Sequence, residues 1–189
     1  MSSRDAPRKG ERTQVAILET AAAAFGERGY DAATLEDVAA VLGLTRSAVL
    51  HHFGSKQEIL HAIVKPFFDL LDAVLDRAAA AAPLSRRATR RFLTEFVDVL
   101  CDNRNASVLI SRDITAQAHL SVDLRLVDRV ERFFTVLAGP EPDRQARLRA
   151  MIALGGIVRP VATPPRLLPL DTPADRQSLV DCALHSLRP

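Results

Sequence analysis

Residues 34–60 hold the sequence feature that most restricts the fold of this chain, two short helical patterns separated by a glycine. Thr34 stands where its hydroxyl can accept hydrogen bonds from the free amides of a helix start, and Asp37 is favourably placed in the first turn. Gly43 follows the first pattern at once, and glycine readily adopts the left-handed conformation of a sharp turn. The apolar residues between them recur at helical spacing: Leu35, Val38, Ala39 and Leu42.

The second helix of this stretch is predicted to begin after Thr45, which can cap it. Val49 and Phe53 lie four residues apart, so they form an apolar stripe that can pack on the first helix. The remaining side chains point outwards and are mostly small, polar or cationic: Arg46, Ser47, Leu50 and His51. A helix held in this way has the shape that enters the major groove. The stretch therefore predicts a helix-turn-helix that binds DNA.

A third helix opens directly after the second. Gly54 ends the second helix, and Ser55 with Glu58 three residues later forms a capping-box pattern. Lys56 falls in the first turn, where a cation opposes the helix dipole. A nearby DNA phosphate would remove that unfavourable interaction, so Lys56 is a predicted phosphate contact.

At these residues the chain resembles the TetR family of bacterial transcriptional regulators. Such proteins have a helix started by threonine, a glycine turn, a short recognition helix ending in His-Phe, and a Ser-Lys entry into the fourth helix. The matching residues here are Thr34, Val38, Ala39, Gly43, Thr45, His52, Phe53, Ser55, Lys56 and Leu60. Beyond Ile63 only helical architecture is recognisable, as the resemblance implies for a family whose C-terminal domains diverge.

Two positions depart from the family pattern. Ser47 stands where a glycine is common, and Leu50 stands where a tyrosine usually contacts the DNA backbone. Leucine cannot donate a hydrogen bond, so either one phosphate contact is lost or Leu50 packs against a thymine methyl group. The predicted DNA contacts are Thr34, Thr45, Arg46, Ser47, Leu50, His51 and Lys56.

Charge placement supports this interpretation better than total charge does. The chain of 189 residues has a formal net charge of +2, but residues 1–60 carry seven basic and eight acidic side chains. The total charge of residues 1–60 therefore does not favour DNA binding, whereas the positions of Arg46 and Lys56 at helix starts do. We expect the acids Glu19, Glu27 and Glu36 to lie on faces turned away from DNA.

Composition predicts an all-α fold, because alanine and leucine dominate and alternating β-branched residues are scarce. We expect a three-helix DNA-binding domain, the head, over residues 1–54, with a flexible arm at 1–10. A helical ligand-binding and dimerisation domain is expected over 55–189. No stretch approaches the roughly 20 apolar residues of a membrane span. The N-terminus has no apolar core for export. The predicted location is the cytoplasm.

Helical patterns continue to the C-terminus. After the first helix at 11–28, we predict a long helix over 55–81 kinked near Pro66, then helices from 85 to the loop at 102, and at 106–118, 121–137, 142–158 and 173–187. Pro142 and Pro173 are predicted first-turn residues. The last two helices lack a further partner in the sequence, which favours a four-helix interface in a homodimer, as the resemblance also implies. A two-fold dimer reads a palindromic operator.

The resemblance, more than any single residue, implies a small apolar or amphipathic effector in the larger domain. The candidate ligand-binding residues are Phe67, Phe92, Phe96, Arg112, Gln117 and Phe134. Aromatic residues at helical spacing are more often plain core, so that alternative stays open. With such an effector, the chain is expected to be a repressor that leaves its operator when the effector binds.

Enzyme chemistry is poorly supported. His51 and His52 are adjacent and cannot share a metal in the usual helical spacing of four, and no phosphate loop, serine elbow or Cys-x-x-Cys pair appears. No catalytic residue, metal or cofactor is expected. Cys101 and Cys182 are interpreted as small buried residues, with a thiol sensor as the alternative. Two other functions remain possible: a DNA-binding protein of this fold without an effector, or a helical carrier or enzyme that keeps the head as a remnant.

Overall fold

The computed structural model describes residues 9–121 and 125–188, and within these ranges the secondary structure is helical. The all-α prediction is confirmed. The described helices are α1 Lys9–Arg28, α2 Leu35–Leu42, α3 Arg46–Phe53, α4 Lys56–Ala80, α5 Arg86–Asp102, α6 Arg104–Arg112, α7 Ile114–Ser121, α8 Leu126–Ala138, α9 Arg144–Ala162 and α10 Pro173–Ser186. Most of the predicted N-terminal arm, residues 1–8, lies outside the described residues, and α1 begins at Lys9.

The chain divides into two compact units between Val64 and Lys65. The sequence placed this division after Gly54, ten residues earlier. Ile59, Leu60 and Val64 are fully buried, so the first turns of α4 carry apolar side chains that a three-helix head would leave without a core. The N-terminal unit thus includes the start of α4.

Within the N-terminal unit, α2 packs on α1 and α3 packs on α2. The core contains Ile17, Phe25 and Val38, each at most 1% exposed. Tyr30 closes it with its ring edge against Phe25, at a centroid distance of 5.2 Å. The only tyrosine of the chain therefore belongs to the core of this unit.

Helix α4 runs without interruption from Lys56 to Ala80 and contains Pro66. Pro66 therefore does not end the helix, although a proline removes one backbone hydrogen bond from a helix interior. Pro66 is exposed. The flanking turns bury Val64, Phe67 and Phe68, so packing on both sides stabilises the helix across the missing bond.

The C-terminal unit is assembled around α9 and α10, which pack on each other; α5 packs on α10, and α6 and α8 pack on α9. Three rings, those of Phe92, Phe96 and Phe133, meet in its core at centroid distances of 4.9 to 6.0 Å. These aromatic residues supply much of the apolar burial of the unit.

Two predicted helix boundaries in this unit are wrong. The helix predicted at 106–118 is split, because Asp113 ends α6 and its side chain caps α7, accepting from Ala116 N at 2.8 Å. Pro142 lies before α9, whose cap is Asp143, accepting from Ala146 N at 2.7 Å. Pro173 does open α10, next to the reciprocal cap between Thr172 and Asp175. The predicted helix at 121–137 falls partly on residues 122–124, outside the described residues.

The two cysteines are less buried than the sequence suggested, since Cys101 is half-buried and Cys182 is exposed. Burial raises the pKa of the Cys101 thiol, with Arg176 and Arg104 opposing the shift. A raised pKa keeps that thiol protonated, which does not favour a reactive thiolate. Among the described residues, no helix is both long enough and apolar enough to cross a membrane.

Candidate nucleic-acid interface and effector cavity

Short-range hydrogen bonds fix α2 and the turn that follows it. Thr34 Oγ1 accepts from Asp37 N at 3.1 Å, and Asp37 Oδ2 accepts from Thr34 N at 3.0 Å. Hydrogen bonds to the Asp37 carboxylate from the Thr34 side chain and from Thr34 N, with a further contribution from Arg28, lower the pKa of Asp37. At the other end, Gly43 adopts φ 64° and Leu44 N donates to Ala39 O at 2.8 Å. This closure is the left-handed glycine ending of a helix.

Helix α3 is fixed to the unit by its inner side and by both of its ends. Thr45 Oγ1 caps it by accepting from Ala48 N at 3.2 Å. Val49 is fully buried. Gly54 ends the helix at φ 65°, where a Cβ atom would lie 2.8 Å from Glu58 Oε1. A residue with a side chain at position 54 would therefore be strained by its backbone conformation and would also displace the end of the Glu58 side chain.

The opposite side of α3 brings the predicted DNA contacts together. Arg46, Ser47 and His51 are exposed and Leu50 is half-buried, and their spacing puts them on one helical face. Ser47 Oγ lies 2.9 Å from Thr45 Oγ1, so the two hydroxyl groups share a hydrogen bond. The face offers one guanidinium, one imidazole, hydroxyl groups and one apolar side chain, which are the groups that read base edges.

Arg46 does not stand alone on this face. Its Nε lies 2.9 Å from Glu36 Oε1, and the two side chains are 58% and 65% exposed. The expectation that Glu36 is turned away is wrong, since Glu36 on α2 is paired with the first residue of α3. An exposed ion pair contributes about 0 to 1 kcal/mol, so Arg46 can exchange this carboxylate for another acceptor.

Two further predicted contacts have structural partners within the unit. Lys56 Nζ lies 4.3 Å from the centroid of the Tyr30 ring and donates to Asp31 O at 3.3 Å. Thr34 is the cap of α2, and its hydroxyl is held by Asp37. Both residues therefore stabilise the unit, whatever they contact on DNA. Sequence reasoning missed the role of Lys56 because Tyr30 lies 26 positions away.

The C-terminal unit contains a cavity of about 340 Å³, within the range of small-molecule sites. Three of the predicted ligand-binding residues, Phe67, Phe96 and Gln117, line it. Phe92 and Phe134 are buried elsewhere in the core, and exposed Arg112 donates to Ala162 O at 3.5 Å. The other described lining residues are Phe68, Leu71, Leu75, Leu100, Ser107, Ile110, Ser111, Leu126, Arg129, Val130, Phe133, Leu154, Gly155 and Val158.

Sequence reasoning missed the charged residue of this cavity. Arg129 on α8 donates from Nε to Asp72 Oδ1 at 3.0 Å and from Nη2 to Asp72 Oδ2 at 2.6 Å. Asp72 lies on α4, 57 positions earlier, so no local pattern connects the two residues. The available signal was an arginine within the amphipathic pattern of α8, one position away from the apolar Val130.

Comparison with known proteins gives a consistent result. The model for the bacterial regulatory proteins of the tetR family matches residues 17–63, which span most of α1 and all of α2 and α3. A crystal structure of the TetR-family regulator PfmR from Thermus thermophilus superposes with a TM-score of 0.65 at 27% identity, covering 92% of this chain and 99% of that one. The chain belongs to the TetR family.

Two curated relatives are named as regulators. The repressor KstR2 of Mycolicibacterium smegmatis is 30% identical over 131 residues, covering 67% of this chain and 60% of that protein. The negative regulator IcaR of Staphylococcus aureus is 33% identical over 81 residues, covering 43% and 44%. This TetR-family chain thus matches about half of the length of these relatives. Its membership in a family of regulators confirms the prediction that it is not an enzyme.

Proposed function

We propose that the chain is a homodimeric transcriptional repressor that binds a palindromic operator through α3 and releases it when a small apolar or amphipathic molecule occupies the C-terminal cavity. The observation that carries this proposal is the exposed face of α3 with Arg46, Ser47 and His51, on a helix held by the buried Val49, the Thr45 cap and the Gly54 ending. The predicted contact roles of all seven head residues belong to the proposal.

Dimerisation is supported by the exposed face of α9. Leu148, Met151 and Ile152 are large apolar side chains at helical spacing, and each is at least 47% exposed. Gly155 and Gly156 follow on the same face and would let a second helix approach closely. Clustered exposed apolar residues mark association surfaces. A second copy that packs its own α9 and α10 here would pair two heads and require a roughly palindromic operator.

Effector control is supported by the composition of α4. This helix buries Ile59 and Leu60 in its first turns and supplies Phe67, Phe68 and Leu71 to the cavity wall. A ligand that shifts the wall therefore acts on a helix that also belongs to the head. A coupling of about 1 to 3 kcal/mol changes operator occupancy several-fold or more.

Repression is supported by the names of the relatives, since KstR2 is called a repressor and IcaR a negative regulator. A repressor acts where the chromosome is, so we assign the chain to the cytoplasm as part of the same proposal. The limits proposed for these functions are residues 1–54 for DNA binding and residues 55–189 for ligand binding and dimerisation, whereas the compact N-terminal unit continues into α4 as far as Val64.

The proposal is tested by in vitro selection of DNA from a random library with the full-length chain. We expect enrichment of one palindrome whose half-sites are about one helical turn apart or a multiple of it. Failure to enrich any palindrome at moderate salt would contradict operator binding. A screen of metabolites for release of the selected DNA then tests the effector.

Arg46→Ala tests the face of α3 in the same assay. We expect this variant to bind the selected operator about 5-fold to 150-fold more weakly and to lose base preference at one position of each half-site. Arg86→Ala is the matched control, because Arg86 also begins a helix after a serine or threonine cap and is exposed. Equal binding by both variants and the unsubstituted chain would exclude α3 as the reading helix.

A further inference from the structure

The cavity of the C-terminal unit has a few polar side chains in a largely apolar wall. Its lining is mainly aliphatic and aromatic, and Arg129 is the one charged residue among the described lining residues. The other polar residues there are Ser107, Ser111 and Gln117. The chemistry of an occupant is therefore decided by which of these four side chains have hydrogen-bonding capacity left.

The two hydroxyl donors and one of the two amide hydrogens are already used. Ser107 Oγ donates to Leu100 O at 2.9 Å, and Ser111 Oγ donates to Ser107 O at 2.6 Å. Gln117 Nε2 donates to Ile110 O at 2.5 Å. The two serine hydroxyls have no second hydrogen to give, so they can only accept from an occupant.

Arg129 is only partly satisfied. Its Nε and Nη2 donate to Asp72, and its guanidinium carbon lies 4.4 Å from the centroid of the Phe68 ring. Its Nη1 is buried and has no hydrogen-bond partner among the described residues. A buried donor without an acceptor costs free energy, which an incoming acceptor would recover. The two hydrogens on Nη1 therefore lack an acceptor, on a residue that lines the cavity.

The charge around Arg129 is balanced. Asp72 also accepts from Arg132 Nη1 at 3.0 Å, and Arg132 Nη2 pairs with Asp76. Two guanidinium groups therefore face two carboxylates, and the cluster is formally neutral. An anionic occupant would lose its hydration without gaining an uncompensated cation, whereas a neutral oxygen could accept from Nη1 at a smaller desolvation cost.

We propose that the effector is a largely apolar molecule carrying one neutral carbonyl oxygen, which accepts a hydrogen bond from Arg129 Nη1. This inference rests on the proposed function, in which the cavity is the effector site. It adds the chemical class of the effector and the residue that selects it.

The test compares three compounds of similar size by equilibrium dialysis against the full-length chain without DNA: acetylnaphthalene, ethylnaphthalene and naphthoate. Acetylnaphthalene has a carbonyl group where ethylnaphthalene has a methylene group, and naphthoate has a negatively charged carboxylate instead. We expect acetylnaphthalene to bind about tenfold or more tightly than ethylnaphthalene, the effect of one hydrogen bond from a charged donor. Naphthoate should bind no more tightly than acetylnaphthalene.

Two variants test whether the preference for the carbonyl compound depends on Arg129. Arg129→Met should abolish the preference for the carbonyl compound, because it removes the donor. Arg132→Met is the matched control, since Arg132 belongs to the same ion-pair cluster but is absent from the described cavity lining, and it should keep the preference. The comparison of compounds in the unsubstituted chain does not depend on either variant folding.

Equal binding of the acetyl and ethyl compounds, a preference that survives Arg129→Met, tighter binding of naphthoate, or no binding of any compound would each overturn the inference. The same compounds are then added to the complex with selected DNA. Carbonyl-selective binding without DNA release would leave the inference standing and contradict effector-controlled repression. Equal release of DNA by all three compounds would support effector-controlled repression and contradict the inference that the effector carries a neutral carbonyl.

Discussion

The pairing of Arg46 with Glu36 sets the electrostatics of the proposed reading face. Both side chains are more than half exposed, and their N–O distance is 2.9 Å. On DNA, Glu36 would lie near phosphates, and its carboxylate would compete with the acceptor that Arg46 is expected to bind. We therefore expect the pair to lower affinity for the operator and to limit the non-specific attraction of the head for nucleic acid.

Replacing Glu36 with glutamine should strengthen operator binding about threefold to tenfold at low salt, because it frees Arg46 and removes a negative charge at the interface. The gain should shrink as salt is raised. Fluorescence anisotropy with labelled operator, titrated at several salt concentrations, measures both effects.

Glu27→Gln is the control for that substitution, since it makes the same charge change on the exposed surface of α1. It should alter operator affinity by less than Glu36→Gln does. Weaker binding by Glu36→Gln would mean that Glu36 orients Arg46 on the operator instead of competing for it.

At the level of helices, the sequence predicts the ends that depend on neighbouring residues. Thr34 with Asp37, Gly43 and Thr45 act within three or four positions of the groups they cap or close, so α2, its turn and the start of α3 are where the pattern puts them. The split at Asp113 was missed because one aspartate serves both as the end of α6 and as the cap of α7. The apolar periodicity over 106–118 continues past this residue, so it does not show that the helix stops and starts again there.

Contacts between distant segments were not predictable from such patterns. Arg129 and Asp72 meet across 57 positions, and nothing in the periodicity of α4 or α8 specifies which charged residues face each other. Three of the six candidate ligand residues line the cavity, because the pattern identifies apolar faces but not which part of the core stays unfilled. The exposure of Cys182 was missed for the same reason, since the pattern did not show that its side of α10 stays uncovered.

The first turn of α4 is joined to the loop between α1 and α2 by Lys56, through the Tyr30 ring and Asp31 O. Lys56→Gln should lower the free energy of unfolding of the head by about 1 kcal/mol, the size of a partly desolvated cation–π contact. Tyr30 is the only tyrosine and the chain has no tryptophan, so intrinsic fluorescence during urea unfolding reports on the head.

Lys65→Gln is the control for this measurement. Lys65 forms an exposed pair with Asp69 one turn later in α4, beyond the division between the units. Its substitution should leave the Tyr30 transition unchanged. If Lys56→Gln also left it unchanged, the contact with Tyr30 would contribute nothing, and the predicted phosphate contact would be the remaining role of Lys56.

For the whole molecule, the proposed dimer explains why α9 exposes large apolar residues. Met151 is 51% and Ile152 is 60% exposed, in a part of the helix that also carries Gly155 and Gly156. Leaving such side chains in water forgoes about 25 cal/mol for each Å² of apolar surface that a second copy would cover. A monomer gains nothing from this face, whereas a two-fold dimer buries it twice.

Ile152→Lys should convert the dimer to a monomer, because it would place two ammonium groups in the apolar contact. Sedimentation equilibrium measures the change in mass. Operator binding should weaken at least about tenfold, since two half-sites are then bound independently, while binding to an isolated half-site should stay the same.

Val127→Lys is the control: Val127 is 69% exposed on α8, outside the proposed interface, and its substitution should leave both the mass and the operator affinity unchanged. A dimer that survives Ile152→Lys but dissociates with Val127→Lys would move the interface from α9 to α8, and the palindrome would then have to be explained from that contact.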